Sequence, residues 1–209
     1  MKINVTYLSF VFLFAAQLSF AQQMPIGFSD SSDSFSSFDG SDFSFTTDPN
    51  NYENDVGGFY NNGNEAWQGF YIDLGRVIDL DFQKTISLSF FGYGSDTHSI
   101  VLKLENGENA DVEVAQNVPD SDGWTTGITF DFANAVLSGS NTPVNASGTY
   151  NRLAIFIDGG DTVSGTYLLD DIDDGSQETD LNELDVFYNR LVWEDNFDTP
   201  GGVNPTNWH

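Results

Sequence analysis

The chain has no cysteine in its 209 residues, six lysines and arginines against 32 aspartates and glutamates, and two histidines. Without thiols there is no disulfide framework, no lipid-anchoring cysteine, no cysteine nucleophile and no zinc-thiolate site. His98 stands alone in a turn-like stretch and His209 is the last residue, so histidine triads and zinc centres find no support. No Gly-rich phosphate loop joins a strand to a helix. Once Lys2 is set aside, Arg76, Lys84, Lys103, Arg152 and Arg190 are the basic residues, and they are scattered. A net charge of -26 with no basic cluster excludes nucleic acid and anionic membrane as natural partners, because both are held by grouped Lys and Arg. Neutral sugars and divalent cations suit such a surface better. After the N-terminus there is no apolar run approaching the roughly 20 residues that a spanning helix needs.

What is present begins with Met1-Lys2, an apolar run from Val5 to Ala16, and Ser19-Phe20-Ala21 before Gln22. Residues 1–21 thus read as a secretory signal peptide, and the mature chain is expected outside the cell or at its surface. Gly at 20 residues and aromatics at 15 % accompany a near absence of continuous helical apolar faces, which favours short strands joined by turns. Period-two alternation recurs at Phe70/Ile72/Leu74, Ile86/Leu88/Phe90, Ile100/Leu102/Leu104, Val112/Val114, Ile128/Phe130/Phe132, Leu153/Ile155/Ile157 and Leu168/Ile172. Turn chemistry separates these sets at Asp81, 92–96, Asn106-Gly107, 119–123, 138–143 and Gly159-Gly160. Seven or more such strands predict an all-β antiparallel β-sandwich, a jelly roll, over residues 22–175. Phe35, Phe38, Phe43 and Phe45 make the Ser/Asp-rich 29–44 stretch too apolar for a linker, so it reads as a first strand with an irregular lead-in. Residues 176–189 read as a linker, and 190–209 as a separate beginning.

That last segment carries Leu191-Val192-Trp193-Glu194-Asp195-Asn196-Phe197, an Asp198-Thr199-Pro200-Gly201-Gly202 turn and Pro205-Thr206-Asn207-Trp208. It resembles the first strand of glycoside hydrolase family 16, with Asn196 where that family usually has Glu. Upstream, Trp67-Gln68-Gly69-Phe70-Tyr71-Ile72-Asp73-Leu74, the stretch from Val101 to Gly107 leading to Trp124, and Tyr167-Leu168-Leu169-Asp170-Asp171-Ile172 resemble jelly-roll carbohydrate-binding modules of the family 4 kind. The resemblance implies a non-catalytic monomer that binds a polysaccharide, a β-glucan of the laminarin type, and delivers an attached family 16 hydrolase to it. Glu178-Thr179-Asp180-Leu181-Asn182-Glu183 matches that hydrolase family's E-x-D-x-x-E pattern. In that family the acids alternate on one strand, with the two outer carboxyls at the roughly 5–5.5 Å separation that retaining hydrolysis needs, but here Thr179 and Asn182 are polar where the family is hydrophobic, and the motif precedes the family 16-like first strand. No catalytic residue is therefore assigned. The competing readings are a fragment of an endo-glucanase, and a calcium-stabilised structural or adhesion domain without sugar affinity.

Sugar recognition needs flat aromatic faces for the C–H side of a pyranose and polar groups for its hydroxyls. Trp67 and Tyr71 alternate opposite the inward Phe70 and Ile72, which makes them the leading pair. Trp124 introduces a strand, where a core or rim role competes with binding, and Tyr93, like Phe59-Tyr60, is placed in a Gly-rich turn. Lys103 and Glu105 alternate with inward Leu102 and Leu104, so they are expected either to meet hydroxyls or to pair on a solvated strand. Modules of the resembling kind tie an N-terminal acid to one of the last strand through calcium, which implies Asp30 or Asp39 with Asp170 or Asp171. Asp170 alternates with Leu168 and Ile172 and is expected at the sandwich edge, where calcium would offset the cost of an unpaired charge.

Overall fold

The computed structural model describes residues 24–93, 96–119 and 122–176. The expected signal peptide, Glu178 to Glu183, nearly all of the 176–189 linker and the family 16-like strand at 190–209 lie outside the described residues. The described chain forms twelve strands: β1 Ser36–Phe38, β2 Ser41–Asp48, β3 Asn51–Asn62, β4 Gly69–Asp79, β5 Thr85–Phe91, β6 Thr97–Glu105, β7 Val112–Pro119, β8 Trp124–Asp131, β9 Ala135–Leu137, β10 Thr142–Val144, β11 Thr149–Ile157 and β12 Ser164–Asp173. Its helical turns are two 3-10 segments, Ser31–Asp33 and Phe132–Asn134. One sheet runs β1-β4-β11-β6-β7-β9-β10 and the other β2-β3-β12-β5-β8, with every pairing antiparallel. This is the expected all-β sandwich of jelly-roll type.

Between the sheets, the alternating residues meet as predicted. Phe70, Ile72 and Leu74 of β4, Ile100, Leu102 and Leu104 of β6, and Leu153, Ile155 and Ile157 of β11 face Phe59 of β3, Ile86, Leu88 and Phe90 of β5, and Phe130 of β8. Each side chain of this size withdrawn from water contributes about 1.5–3 kcal/mol. The aromatic end of this core is built by Phe28, Phe35, Phe43 and Phe59, with neighbouring ring centroids 5.2–6.2 Å apart in tilted or edge-on geometry. The chain ends of the domain are tied by paired backbone bonds between Ile26 and Ile172, at 2.8 and 3.1 Å. Arg76 reinforces the tie by donating to the Met24 carbonyl at 2.8 Å and to the Ser176 hydroxyl, with Asp174 3.7 Å away.

Three local expectations are corrected. Phe59 and Tyr60 lie in the long strand β3 rather than in a turn. The glycines that suggested a turn serve packing, since a Cβ on Gly57 would sit 2.6 Å from the rings of both Phe28 and Phe59. Phe132 is buried beside Phe130 as expected, but in a 3-10 turn rather than in β8, because the strand ends at Asp131, which accepts from the Ala133 N–H. Leu168 and Ile172 do not share a side. Asp171 adopts φ 51°, and the β12–β5 register breaks between Asp170 and Asp173. Such an irregularity shifts the alternation, so Ile172 enters the main core while Leu168 joins Val56 and Phe91 in a separate cluster covered by Trp124.

Candidate functional site

The six residues singled out for sugar contact divide between the two outer faces of the sandwich. Trp67, Tyr71, Lys103 and Glu105 belong to the seven-stranded sheet or its rim. Tyr93 and Trp124 belong to the five-stranded sheet.

On the seven-stranded sheet, β4 turns Phe70 and Ile72 inward, which leaves Gly69, Tyr71 and Asp73 outward by simple alternation. Antiparallel register sets Ala154 of β11 against Tyr71 and Arg152 against Asp73. The same strand faces Glu105 and Lys103 of β6. Phe38 of β1 and Phe156 of β11 close over Gly69, where a Cβ would lie 2.5 Å from Phe38 Cζ and 2.9 Å from Phe156 Cδ1. Phe38 is also tilted against Tyr71 at 6.4 Å and meets Phe156 edge-on at 5.8 Å. Phe156 in turn meets Trp67 edge-on at 5.9 Å. Tyr71, Phe38, Phe156 and Trp67 therefore form one connected aromatic row.

Trp67 is 57 % exposed. Its ring rests on the Gly159–Gly160 turn after β11: a Cβ on Gly159 would be 3.0 Å from Trp67 Cζ3, and one on Gly160 would be 3.6 Å from Cζ2. The turn supports the ring from one side, and the Gly160 N–H closes on the Ala66 carbonyl at 2.6 Å. Gln68 fixes the approach to β4 by donating to the Asp39 carbonyl and to Asn62 Oδ1, both at 2.7 Å, while accepting from the Gly63 N–H at 2.8 Å. An exposed ring held in this way loses little further freedom on binding.

Beside the row runs a charged strip. Arg152 donates to Asp73 at 2.6 and 3.1 Å, and its guanidinium lies 4.4 Å from the centre of the Tyr71 ring. Lys103 is 2.6 Å from Glu105 and 3.4 Å from Asp111. Partial burial opposes the Lys103 charge, but Glu105 and Asp111 outweigh it and hold the ammonium above its ordinary pKa. The Arg152–Asp73 pair holds the guanidinium over the Tyr71 ring, and the strip leaves both donors and acceptors beside it.

The outer face of the five-stranded sheet is built differently. Trp124 lies edge-on to Phe91 at 5.5 Å, and Tyr93, 55 % exposed, is tilted on the same Phe91 at 4.9 Å. Trp124 Nε1 donates to Asp48 at 2.9 Å. Asp48 and Trp124 belong to the two edge strands, β2 and β8, which in a flat sheet would stand roughly 19 Å apart at four spacings of about 4.8 Å. The β2–β3 end must therefore curl over this face, and the register break at Thr47/Asp48 marks where it bends. Trp124 acts as a cover for Val56, Phe91 and Leu168.

The acids implied for calcium occupy separate local settings. Asp30 is exposed, caps the first 3-10 turn through Ser32, and is held below the usual carboxylate range by that hydrogen bond. Asp39 sits at φ 56° between β1 and β2. Asp170 accepts from Asn54 and from the Asp171 N–H, both at 2.9 Å; burial pushes its carboxyl up, and the nearby Asp171 and Asp48 charges add to the rise. Asp171 accepts from the Ser89 hydroxyl at 3.0 Å. Among the described residues no group of three or more acidic, histidine or cysteine side chains is gathered for a metal.

Phe38, Phe156, Arg152 and the Gly159–Gly160 turn were absent from the sequence-derived site. Phe156 and Arg152 did leave a signal, since they fall on the outward beat of the Leu153/Ile155/Ile157 alternation.

No family model and no curated protein matches this chain. Solved structures similar to it include a family 11 carbohydrate-binding module from Clostridium thermocellum in complex with a β-1,3-1,4-mixed-linked tetrasaccharide, at 12 % identity over 66 % of this chain and 85 % of that one, TM-score 0.48. The CBM22-1 xylan-binding domain from Paenibacillus barcinonensis is 14 % identical over 70 % of this chain and 88 % of its own, TM-score 0.43. An exo-β-agarase is 10 % identical over 66 % of this chain and 22 % of its own, TM-score 0.49. These similarities are too distant to transfer a ligand or an activity.

Proposed function

We propose that this chain is a non-catalytic polysaccharide-binding module whose platform is the aromatic row on the seven-stranded sheet, and that its ligand is a neutral β-glucan of the laminarin type. The observation that carries the reading is Trp67, largely exposed yet braced from beneath by Gly159–Gly160 and continued by Phe156, Phe38 and Tyr71. A pyranose stacks its C–H face on such rings. Asp73 and Glu105 accept from its hydroxyls, and Arg152 and Lys103 donate to them. Shallow stacking of this kind gives affinities of roughly micromolar to millimolar, about -8 to -4 kcal/mol. Tyr93 and Trp124 lie on the other sheet and are not part of this platform. The family 16-like segment at 190–209 supports an attached hydrolase as the enzyme that the module serves.

Native gels cast with laminarin, mixed-linkage glucan, xylan or agarose test the proposal directly. Retardation is expected with laminarin, and migration unchanged in every gel would overturn the sugar-binding reading. A structural calcium drawing on Asp170 belongs to the same proposal, on the ground that this buried carboxylate bears a cost that a cation would offset. If calcium raises the melting temperature while no glycan retards the protein, the structural or adhesion reading replaces it.

A further inference from the structure

Asp158 follows β11 and immediately precedes the Gly159–Gly160 turn, and its backbone takes the left-handed φ of 54°. Its carboxylate is engaged by both sheets. His98 of β6 donates from Nδ1 to Oδ2 at 2.8 Å, Tyr167 of β12 donates its hydroxyl to the same oxygen at 3.1 Å, and the Ser99 N–H donates to Oδ1 at 3.0 Å. The Asp158 N–H itself donates to the Ser99 carbonyl at 2.8 Å, and the Asp161 N–H returns to the Asp158 carbonyl at 3.2 Å. His98 and Tyr167 are packed edge-on at 5.0 Å, and both lie against Phe90. The partners of Asp158 lie inside the sandwich, and the next two residues form the support beneath Trp67.

We infer that Asp158 is a positioning residue for the Trp67 platform: by clamping the first residue of the turn to both sheets, it sets the height and tilt of the Gly159–Gly160 surface on which the indole rests. The inference rests on the glycan-binding reading for its functional meaning, but its structural content can be measured without any glycan. Asp158→Asn is the informative change, because asparagine tolerates the left-handed conformation and keeps the side-chain shape. It removes the charge and replaces one acceptor oxygen by an amide donor, so His98 and Tyr167, which both donate to Oδ2, must reverse their roles to stay paired and the clamp loses its charge-assisted bonds.

The full chain is labelled with 5-fluorotryptophan, which gives signals for Trp67, Trp124, Trp193 and Trp208, and loss of one signal in Trp67→Phe assigns Trp67. In Asp158→Asn the Trp67 fluorine signal should shift or broaden while that of Trp124, on the opposite sheet, stays in place. Laminarin retardation measured well below the melting temperature should fall to the Trp67→Ala level, and the double variant Asp158→Asn/Trp67→Ala should show no further loss. A carboxylate needed only for folding would lower the melting temperature and leave the Trp67 signal unchanged, and that result overturns the inference. Should Trp67→Ala itself leave retardation intact, the glycan reading fails, and the fluorine shift alone then decides the positioning role. If Asp158→Asn does not fold, Tyr167→Phe removes a single donor while keeping the ring packing. The Trp67 signal should then move by a smaller amount, and an unmoved signal overturns the inference.

Discussion

Gly69→Ala places a methyl group beneath the aromatic row. Gly69 is a strand residue and is not in the left-handed region, so alanine meets no backbone penalty and its effect is steric. The added carbon would lie 2.5 Å from Phe38 Cζ and 2.9 Å from Phe156 Cδ1 and Cε1. Carbon atoms prefer about 3.5–4.0 Å, so a displacement of about 1 Å is required. Phe38 will give way first, because it belongs to a three-residue edge strand and is only half-buried, whereas β11 is paired on both sides. Overpacking costs about 1–3 kcal/mol, and replacing glycine recovers about 0.4–1 kcal/mol through the unfolded chain. The net is roughly 1 kcal/mol, or about 2–4 °C in melting temperature for a domain of this size. Displacing Phe38 disturbs the Phe156 and Tyr71 contacts, so laminarin retardation should fall by more than the small stability change explains. Differential scanning calorimetry and affinity gels on the same preparation check both. Unchanged melting together with unchanged retardation would refute the packing described for this face.

Arg152→Ala removes the guanidinium beside Tyr71 and its bonds to Asp73; stability should change by less than about 1 kcal/mol, since the pair is solvent-exposed, while titration calorimetry should show laminarin affinity lowered severalfold. Trp124→Ala opens the Val56/Phe91/Leu168 cluster and leaves Asp48 without its indole donor; urea unfolding should show a loss of about 2–4 kcal/mol with retardation of the folded protein unchanged. The raised pKa of Asp170 means that the folded state holds its proton to a higher pH than the unfolded chain does. Its contribution to stability is therefore most favourable at low pH and is lost as pH rises through the raised folded value. Asp170→Asn should accordingly raise melting temperature more at pH 7 than at pH 3 in EDTA, and calcium should raise the wild-type melting point but not that of the variant.

The sandwich was legible because strands buried on one side write their period into the sequence: β6 carries it from end to end, and β4 and β11 carry it through Phe70/Ile72/Leu74 and Leu153/Ile155/Ile157. Elements without that period were harder to place. β3 reads as a turn because Gly57 and Gly58 interrupt it, although Gly57 is there to admit Phe28. The side reversal at β12 depends on one left-handed residue, Asp171, for which alternation offers no warning. At the site, Trp67 and Tyr71 could be read as outward-facing from their immediate neighbours. That Trp67 rests on Gly159–Gly160, and that Phe38 lies over Gly69, depends on contacts between segments far apart in sequence, which no local pattern records. Trp124 and Tyr93 show the complementary limit: alternation assigns a residue to a face but does not say which of the two sheets it belongs to.

Replacing Trp67 by alanine and measuring laminarin retardation and melting temperature together tests the platform most directly. The ring is mostly in solvent and supported by backbone, so its removal should abolish most of the retardation while moving the melting temperature little. Equal retardation of the variant and the parent protein would contradict the assignment of this face as the sugar-binding surface.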